Sequence, residues 1–268
     1  TYEISSIGNS MPKIQFDPDE CLSDWIAIKS AIVLSAVLNP GRAHDFTLCT
    51  NTVFLLESLT SDTSQMQPID VKEDNAVFRC GNDGKIDNNC LIVGGYAHFR
   101  MIESVKDVSF MGITFSGASL SPILATGEAN ASVEFVNCAW IDNRGVAAVL
   151  IYNEDKGVVV TASTTIEELV EPRAKSMTVS CIGCVFSRNN MYNSTVVNLG
   201  GTAKFTKSVF IANKVWGGVI ISKFRSNLVM VGSCFFKNDA QLAGTVVVEE
   251  NSVVELNKDT YGELNTIG

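Results

Sequence analysis

Short apolar runs alternate with polar residues and recur about every 25 residues along the second half of the chain. The copies are Val108–Ala118, Val133–Asn143, Val179–Asn189, Ala203–Asn213 and Leu228–Asn238, and a weaker sixth copy covers Val254–Leu264. We number each copy from its first residue. Apolar or small side chains that are expected to face the core then fall at positions one and three and at positions six and eight. Alternation with a period of two is typical of a β-strand, and the change from odd to even positions indicates a bend between two short strands.

Two positions of the repeat keep nearly the same residue type. Position eight is aromatic in all five strong copies, which predicts an inward ladder of stacked rings: Phe115, Trp140, Phe186, Phe210 and Phe235. The weak copy places Tyr261 there. Position eleven is Asn in four of the five copies, and Asn tolerates left-handed backbone and bonds along a stack of like turns. We therefore expect an Asn ladder of Asn143, Asn189, Asn213 and Asn238.

A repeat of this length must stack on its neighbours, because one copy is too short to bury its own apolar face. Two or three short strands per copy predict one coil of a right-handed parallel β-helix in an all-β chain. A β-sandwich is the alternative, but it would not repeat the same aromatic in the same position, and the leucine-rich repeat pattern is absent. The sequence therefore predicts a single β-helix domain over residues 1–268.

The segment before the repeat predicts an α-helix over residues 17–39. Its apolar residues at 25, 28, 32 and 36 fall on one face, and Asp17 or Asp19 is placed to cap its N-terminus. An open β-helix end exposes apolar core and unpaired strand edges. We expect this helix to cover the N-terminal end; a helix lying on a membrane surface is the alternative.

The remaining segments differ in regularity. Residues 46–107 predict irregular early coils, and residues 108–264 predict the regular ones. Residues 153–175 interrupt the repeat and contain several acidic residues. We interpret them as a loop projecting from a turn; a degenerate coil is the alternative.

The chain contains eight cysteines. Cys21 and Cys49 flank the predicted helix, and Cys80 and Cys90 bracket a polar loop, so we predict two disulfides, Cys21–Cys49 and Cys80–Cys90. Buried free thiols are the alternative for these pairs. The other four are expected as free or partly paired thiols: Cys138, Cys181, Cys184 and Cys234. Disulfides form in oxidising compartments, so the protein is expected to be secreted, extracellular or at the cell surface.

Two triplets match the N-glycosylation acceptor pattern, at Asn130 and at Asn193. Both fall near turns in the repeat alignment, and both agree with secretion. The composition is 46% hydrophobic and 18% charged with a net charge of −9, which suits a packed core and argues against nucleic acid as a partner. No apolar run approaches the ~20 residues that span a bilayer, so no transmembrane segment is predicted.

The segment VKDVSFMGITFSGA at 105–118, the aromatic and Asn repeats and the N-terminal helix resemble the right-handed parallel β-helix superfamily of pectin and pectate lyases. A closer resemblance is to secreted right-handed β-helix domain proteins of diatoms and related algae. In that set a CGxDGxxxxxC segment is followed by GG and a His, similar to Cys80–Cys90, Gly94, Gly95 and His98 here. The resemblance implies the fold over most of the chain and does not imply a particular activity.

Lyases, esterases and glycosidases on this fold need clustered carboxylates, often with Ca²⁺ or with a basic residue. The outward positions of the regular coils offer one carboxylate, Glu134, and no cluster. Weaker candidates exist. His44 with Asp45, or His98 with Arg100 and Glu103, are candidates for acid–base chemistry, and the Cys80–Cys90 loop could bind Ca²⁺ through Asp83, Asp87, Asn88 and Asn89.

We interpret these candidates as structural and predict no catalytic residue, metal or cofactor. The sequence favours a secreted, non-enzymatic structural or surface-recognition protein of an extracellular assembly. Its expected partners are other protein subunits or a polysaccharide. A lyase or epimerase acting on acidic polysaccharide is the alternative.

Overall fold

The computed structural model of the protein describes residues 21–38, 43–56, 68–102, 105–152, 176–257, 259–263 and 265–267. These residues form one α-helix, α1 (Trp25–Leu38), followed by short β-strands that wind into eight successive coils. Every pairing between these strands is parallel, and equivalent strands of successive coils build four sheets that run along the axis. The predicted all-β parallel β-helix is confirmed.

The first sheet contains the opening strand of every coil: β1 (His44–Leu48), β4 (Ala76–Cys80), β7 (Val108–Met111), β10 (Ser132–Val136), β14 (Thr178–Ile182), β18 (Thr202–Thr206), β22 (Asn227–Val231) and β26 (Val253–Leu256). The second sheet follows it around each coil: β2 (Thr52–Leu56), β5 (Cys90–Gly94), β8 (Ile113–Ser116), β11 (Ala139–Ile141), β15 (Val185–Ser187), β19 (Val209–Ile211), β23 (Cys234–Phe236) and β27 (Tyr261–Glu263). Two smaller sheets complete the coils.

The third sheet has two-residue strands: β12 (Arg144–Gly145), β16 (Asn190–Met191), β20 (Lys214–Val215), β24 (Asp239–Ala240) and β28 (Thr266–Ile267). The fourth sheet contains β3 (Ile69–Val71), β6 (Phe99–Met101), β9 (Ile123–Ala125), β13 (Val149–Ile151), β17 (Val196–Leu199), β21 (Ile220–Lys223) and β25 (Val246–Val248). The strands β10 and β14 pair directly, as do β13 and β17, so the coils on either side of residues 153–175 are neighbours. The predicted loop itself lies outside the described residues.

Aromatic rings stack along the core at two positions of the coil. At position eight Trp140 lies 4.5 Å from Phe186 between ring centroids, and Phe186 lies 4.6 Å from Phe210, with nearly parallel planes. Phe115 and Phe235 extend this stack at its two ends. The second stack, at position three, also includes the early coils: Phe46, Phe78, Phe110 and Phe135. All of these rings are buried, so the irregular early coils share the core of the regular ones.

Left-handed residues make two sharp bends in each regular coil. Position five, between the first and second sheets, has positive φ in every copy: Gly112, Asn137, Gly183, Lys207 and Gly232. Position ten, after the second sheet, does so as well: Gly117, Asp142, Arg188, Ala212 and Lys237. Although Asn tolerates left-handed backbone, the Asn of position eleven does not have positive φ in any of the four copies that carry it. The residue before it makes the bend, because the Asn side chain has to point into the core.

The Asn residues form a continuous buried ladder. The Asn213 side chain accepts hydrogen bonds from the backbone N and the Nδ2 of Asn189, at 3.1 and 2.9 Å. It donates from Nδ2 to Asn238 Oδ1 and to the carbonyl of Phe186, both at 2.9 Å. The same pattern starts at Asn143 and ends at Asn265, which the sequence did not assign to the ladder. Each amide thus satisfies backbone groups at the bend of the preceding coil and bonds to the amide of the next coil.

A second ladder lies at position six, where short side chains close the bend at position five. Each donates to the carbonyl of position three in the preceding coil, as Cys184 Sγ does to Phe135 O at 3.3 Å and Ser208 Oγ to Cys181 O at 3.2 Å. The donors are Cys138, Cys184, Ser208, Ser233 and Thr260. This explains why the position holds Cys, Ser or Thr, since each of these small side chains carries one S–H or O–H donor close to the backbone.

The cap helix is shorter than predicted. It begins at Trp25, and Asp24 caps it by accepting from the backbone N of Ala27 at 2.7 Å. Before the helix begins, Leu22 pairs with Leu48 of the first coil in a single parallel bridge. Asp17 and Asp19 lie outside the described residues. Trp25 and Ile28 face the first coils, and the Trp25 ring packs edge-on against Phe99.

The last coil departs from the predicted register. Val254 and Leu256 pair with Leu228 and Met230 as expected, but Tyr261 pairs with Cys234 at the outward position seven. Gly262, not Tyr261, therefore occupies position eight. The connection after Leu256 is one residue longer than in the preceding coil, which shifts every later residue by one.

Candidate functional site

Two disulfides join the cysteines that the sequence pairs. Cys21–Cys49 has an S–S distance of 1.98 Å and Cys80–Cys90 one of 2.04 Å, so both predicted bonds are confirmed. Cys138, Cys181 and Cys184 are free and buried, and Cys234 is free and half-buried. Burial raises the pKa of Cys138 and of Cys184 well above the usual value for a thiol. These three thiols therefore belong to the core and not to a reactive site.

The two glycosylation triplets have opposite surroundings. Asn130 is exposed in a turn between the fourth and first sheets, where a glycan has room. Asn193 is only 5% exposed, and Ser194 and Thr195 are fully buried. A glycan on Asn193 would have to replace packed core, so the folded structure argues against that prediction and leaves Asn130 as the acceptor candidate.

The histidine candidates do not converge with their supposed partners. His44 and His98 point inward and are buried, and His98 Nε2 lies 2.9 Å from the carbonyl oxygen of Gly94. Asp45 points outward and pairs with Arg79, and Arg100 forms a two-bond ion pair with Asp70 at 2.7 and 2.9 Å. His44 and Asp45 are adjacent in β1 and therefore face opposite sides of the sheet. His98 precedes β6 and is fully buried, whereas Arg100 lies within β6 and is bound by Asp70. Glu103 lies outside the described residues.

The Cys80–Cys90 loop is held by its own side chains. Lys85 Nζ lies 2.7 Å from Asp83 Oδ2, and Asn88 donates to Asp83 and, at 2.7 Å, to the carbonyl of Cys80. The hydrogen bond from Lys85, with a smaller contribution from Asn88, lowers the pKa of Asp83 to about 2. Asp87 and Asn89 are exposed. Across the described ranges, no three His, Cys, Asp or Glu side chains are grouped to hold a metal ion.

The charged residues on the outer face of the first sheet are not clustered. Glu134 is exposed at position two, and its neighbours in register are Ser109 and Ser180. Lys204 follows one coil further on. The outer face of the second sheet has no charged residue from β2 to β23: Val53, Leu55, Leu91, Val93, Thr114, Ser116, Ala139, Ile141, Val185, Ser187, Val209, Ile211, Cys234 and Phe236. Its side chains are mostly half-buried by one another.

The corner between the third and fourth sheets carries an exposed row of two aromatic residues and one leucine. We call it the aromatic row, and it consists of Tyr192, Trp216 and Leu242. Tyr192 and Trp216 occupy position fourteen of consecutive coils, since each backbone N donates to the carbonyl of position thirteen in the preceding coil. Leu242 donates its backbone N to Trp216 O at 2.8 Å. Their exposed fractions are 66%, 54% and 61%, which is unusual for side chains of this size on a coil packed this closely.

A polar row runs beside the aromatic row, at position twelve on the outer face of the third sheet. Its residues pair in register along the axis: Arg144, Asn190, Lys214 and Asp239. Residues at positions twelve and fourteen are both exposed in these two coils and only two residues apart along the chain, so each ring lies near one polar group. The corner therefore combines flat apolar faces with hydrogen-bond donors and acceptors on a rigid, regularly spaced scaffold.

The repeat alignment stops at position eleven and so misses this row. The signal present in the sequence is an aromatic residue three positions after the ladder Asn in two consecutive copies, Asn189 to Tyr192 and Asn213 to Trp216. Because coils stack in register, such residues meet on one line of the surface.

No protein-family model, no curated protein and no solved structure matches the sequence. In the part of the chain that the structure describes, no helix is long and apolar enough to cross a membrane.

Proposed function

We propose that the protein is a secreted, non-catalytic recognition β-helix that binds an extracellular polysaccharide along the aromatic row. The observation that carries the proposal is the in-register pair of exposed rings, Tyr192 and Trp216, beside Asn190 and Lys214. A sugar ring presents an apolar face of C–H groups that stacks on an aromatic ring, and its hydroxyls bond to neighbouring polar groups. Arg144 and Lys214 favour a polysaccharide with acidic groups.

Secretion is supported by the two disulfides, which belong to oxidising compartments, and by the exposed acceptor triplet at Asn130. Membership of the pectin and pectate lyase superfamily, and kinship with the algal β-helix proteins, remain part of this proposal and rest on the sequence resemblance. The non-catalytic assignment rests on the separation of the candidate groups, with His44 and His98 facing the core and Glu134 flanked by serines.

The three tryptophans provide a selective assay for the row. Trp25 and Trp140 are buried and Trp216 is half-exposed, so acrylamide quenching reports mainly on Trp216. Titration with alginate or pectin should shield Trp216 from quenching, and a neutral glucan should do so less. The Trp216→Ala variant lacks the accessible tryptophan that this assay follows. Its binding to the polysaccharide is therefore measured by affinity electrophoresis.

The matched variants are Tyr192→Ala, Trp216→Ala and the control Tyr261→Ala, a similarly exposed Tyr on the second sheet in the last described coil. Loss of one stacking ring should weaken binding about tenfold, or ~1.4 kcal/mol, while the control should bind like the wild type. Equal binding by all three variants would refute the site, and cleavage or epimerisation of the polymer would refute the non-catalytic assignment.

Packing against another protein subunit is a second candidate function, favoured by the uncharged outer face of the second sheet. Uncharged faces of this extent are typical of contact surfaces. A Val209→Lys substitution places a charge within this face and should disrupt any co-purifying assembly, whereas Lys204→Glu on the first sheet should leave it intact. An assembly that tolerates Val209→Lys would exclude this face as the contact.

A further inference from the structure

The polar row beside the aromatic row has a regular order of charges. Along the axis it reads Arg144, Asn190, Lys214 and Asp239, which is positive, neutral, positive and negative. These residues belong to four consecutive coils, so the backbones of neighbours are ~4.8 Å apart and those of Arg144 and Lys214 are ~10 Å apart. The first three side chains are exposed, and Asp239 is half-buried. The two cations therefore lie on every second coil, and no cation of the row lies between them.

Both cations of the polar row are available to an anionic ligand. Among the described residues, neither Arg144 nor Lys214 has a carboxylate within ion-pair distance. At position ten of the same corner Arg188 is already occupied, because it donates two bonds to Asp142 at 2.9 and 2.8 Å. Lys237, also at position ten, is two residues further along the coil from the aromatic row than the polar row is. On a chain of net charge −9, the two unpaired cations form a local site for negative charge.

The spacing of the coils is close to the spacing of sugars in a polysaccharide. An extended chain advances by about the same distance for each pyranose unit as the solenoid does for each coil. A chain lying along the aromatic row therefore places about one sugar on each coil. The sugar beside Lys214 and Trp216 meets a cation, whereas the sugar beside Asn190 and Tyr192 meets an uncharged amide. An acidic sugar is disfavoured beside Asp239, where a hydroxyl or amide N–H can instead donate to the carboxylate.

We propose that the polysaccharide bound at this corner carries an acidic group on every second sugar. Its acidic sugars lie beside Arg144 and Lys214, and its uncharged sugars lie beside Asn190 and Asp239. The assignment depends on the proposed function, because it specifies the ligand of the same aromatic row. A polymer with an acidic group on every sugar fits less well, since it places one charge beside the neutral Asn190 and another beside Asp239, where like charges repel. A neutral polymer leaves both cations without a partner.

Two acidic oligosaccharides of equal length test the charge spacing. Hyaluronan oligosaccharides carry a carboxylate on every second sugar, and oligogalacturonates carry one on every sugar. Protection of Trp216 from acrylamide quenching reports the binding of each. The wild type should bind the hyaluronan oligosaccharide about fivefold more tightly, which is the effect of one like-charge contact at an exposed site. Non-specific attraction would give the opposite order, because the oligogalacturonate has twice the negative charge.

Variants of the polar row test the assignment of each position. Lys214→Asn should weaken hyaluronan binding about fivefold, because one exposed cation is lost. Lys204→Asn is the matched control, since Lys204 is an exposed lysine of the same coil on the first sheet, and it should bind like the wild type. The double variant Asn190→Lys with Asp239→Asn makes the row suitable for an acidic group on every sugar. It should bind the oligogalacturonate at least as tightly as the hyaluronan oligosaccharide.

The outcomes separate the charge spacing from the site itself. The charge spacing would be overturned if the wild type bound the oligogalacturonate as tightly as the hyaluronan oligosaccharide or more tightly. Equal losses for Lys214→Asn and Lys204→Asn, or a double variant that keeps the wild-type preference, would overturn it as well. In each of these cases protection of Trp216 would still support the aromatic row as a polysaccharide site. Absence of Trp216 protection by both acidic polymers would overturn the proposed function and the charge spacing together.

Discussion

Replacing Asn213 by Ala removes one rung from the middle of the Asn ladder. The side chain is 1% exposed, and Ala fits the site sterically because Ala118 occupies the equivalent position in the third coil. The substitution deletes the two bonds that Asn213 donates, to Asn238 Oδ1 and to the carbonyl of Phe186. It also deletes the acceptor for the Asn189 backbone N–H and side-chain amide.

The cost follows from this count. Two buried hydrogen bonds contribute ~1 kcal/mol each, and leaving the Asn189 N–H without its partner costs ~1–3 kcal/mol, so the free energy of unfolding should fall by ~3–5 kcal/mol. The neighbouring Asn190 is exposed on the outer face, and Asn190→Ala should change stability by less than ~0.5 kcal/mol.

Urea unfolding followed by far-UV circular dichroism measures both variants, with the disulfides intact. The midpoint should move for Asn213→Ala and stay for Asn190→Ala, with similar slopes against urea concentration. A loss below ~1 kcal/mol for Asn213→Ala would show that the ladder contributes alignment but little stability, and the energetic reasoning would be wrong.

Three further outcomes follow from the core. The Trp140 Nε1 is buried without a hydrogen-bond partner, so Trp140→Phe should lower the free energy of unfolding by less than ~1.5 kcal/mol. Trp140→Ala should lower it by ~3–5 kcal/mol in the same unfolding assay, and equal losses for the two variants would contradict the stacking argument. Burial lowers the pKa of His98 to about 4, against about 6.5 in the unfolded chain, so stability present above about pH 6.5 should be lost by up to ~3 kcal/mol as the pH falls towards 4, and a His98→Gln variant with the wild-type pH dependence would refute this. A thiol reagent at neutral pH should modify Cys234 first in the native protein and reach Cys138, Cys181 and Cys184 only after denaturation, and rapid modification of all four in the native state would contradict their burial.

The sequence predicts the coil well because the repeat reports which side chains face inward. Phe186 and Asn213 are recognisable from their spacing alone, since coils that stack in register bring equal positions together. Bends were harder to predict. Arg188 and Lys207 adopt left-handed backbone without the Gly or Asn that usually marks it, because the ladders on either side fix their conformation.

The remaining errors have local causes. The helix begins late because Leu22 pairs with Leu48 before the chain turns into α1. Tyr261 moved outward because one additional residue follows Leu256, and a shift of one residue in a strand exchanges inward and outward faces. The aromatic row was missed because outward positions carry no periodic constraint from the core, so only the three-dimensional stack shows that Tyr192 and Trp216 are neighbours.

The covalent links are concentrated at one end of the solenoid. Cys21–Cys49 ties the segment before α1 to the first coil, and Cys80–Cys90 closes the second, whereas the described coils from the third onward are held only by non-covalent contacts between neighbours. Because each coil of a solenoid contacts only its neighbours, opening of the described coils should begin away from the disulfides and proceed towards them. The stability of the backbone is therefore expected to be graded along the axis, with the coils beside α1 as its most persistent part.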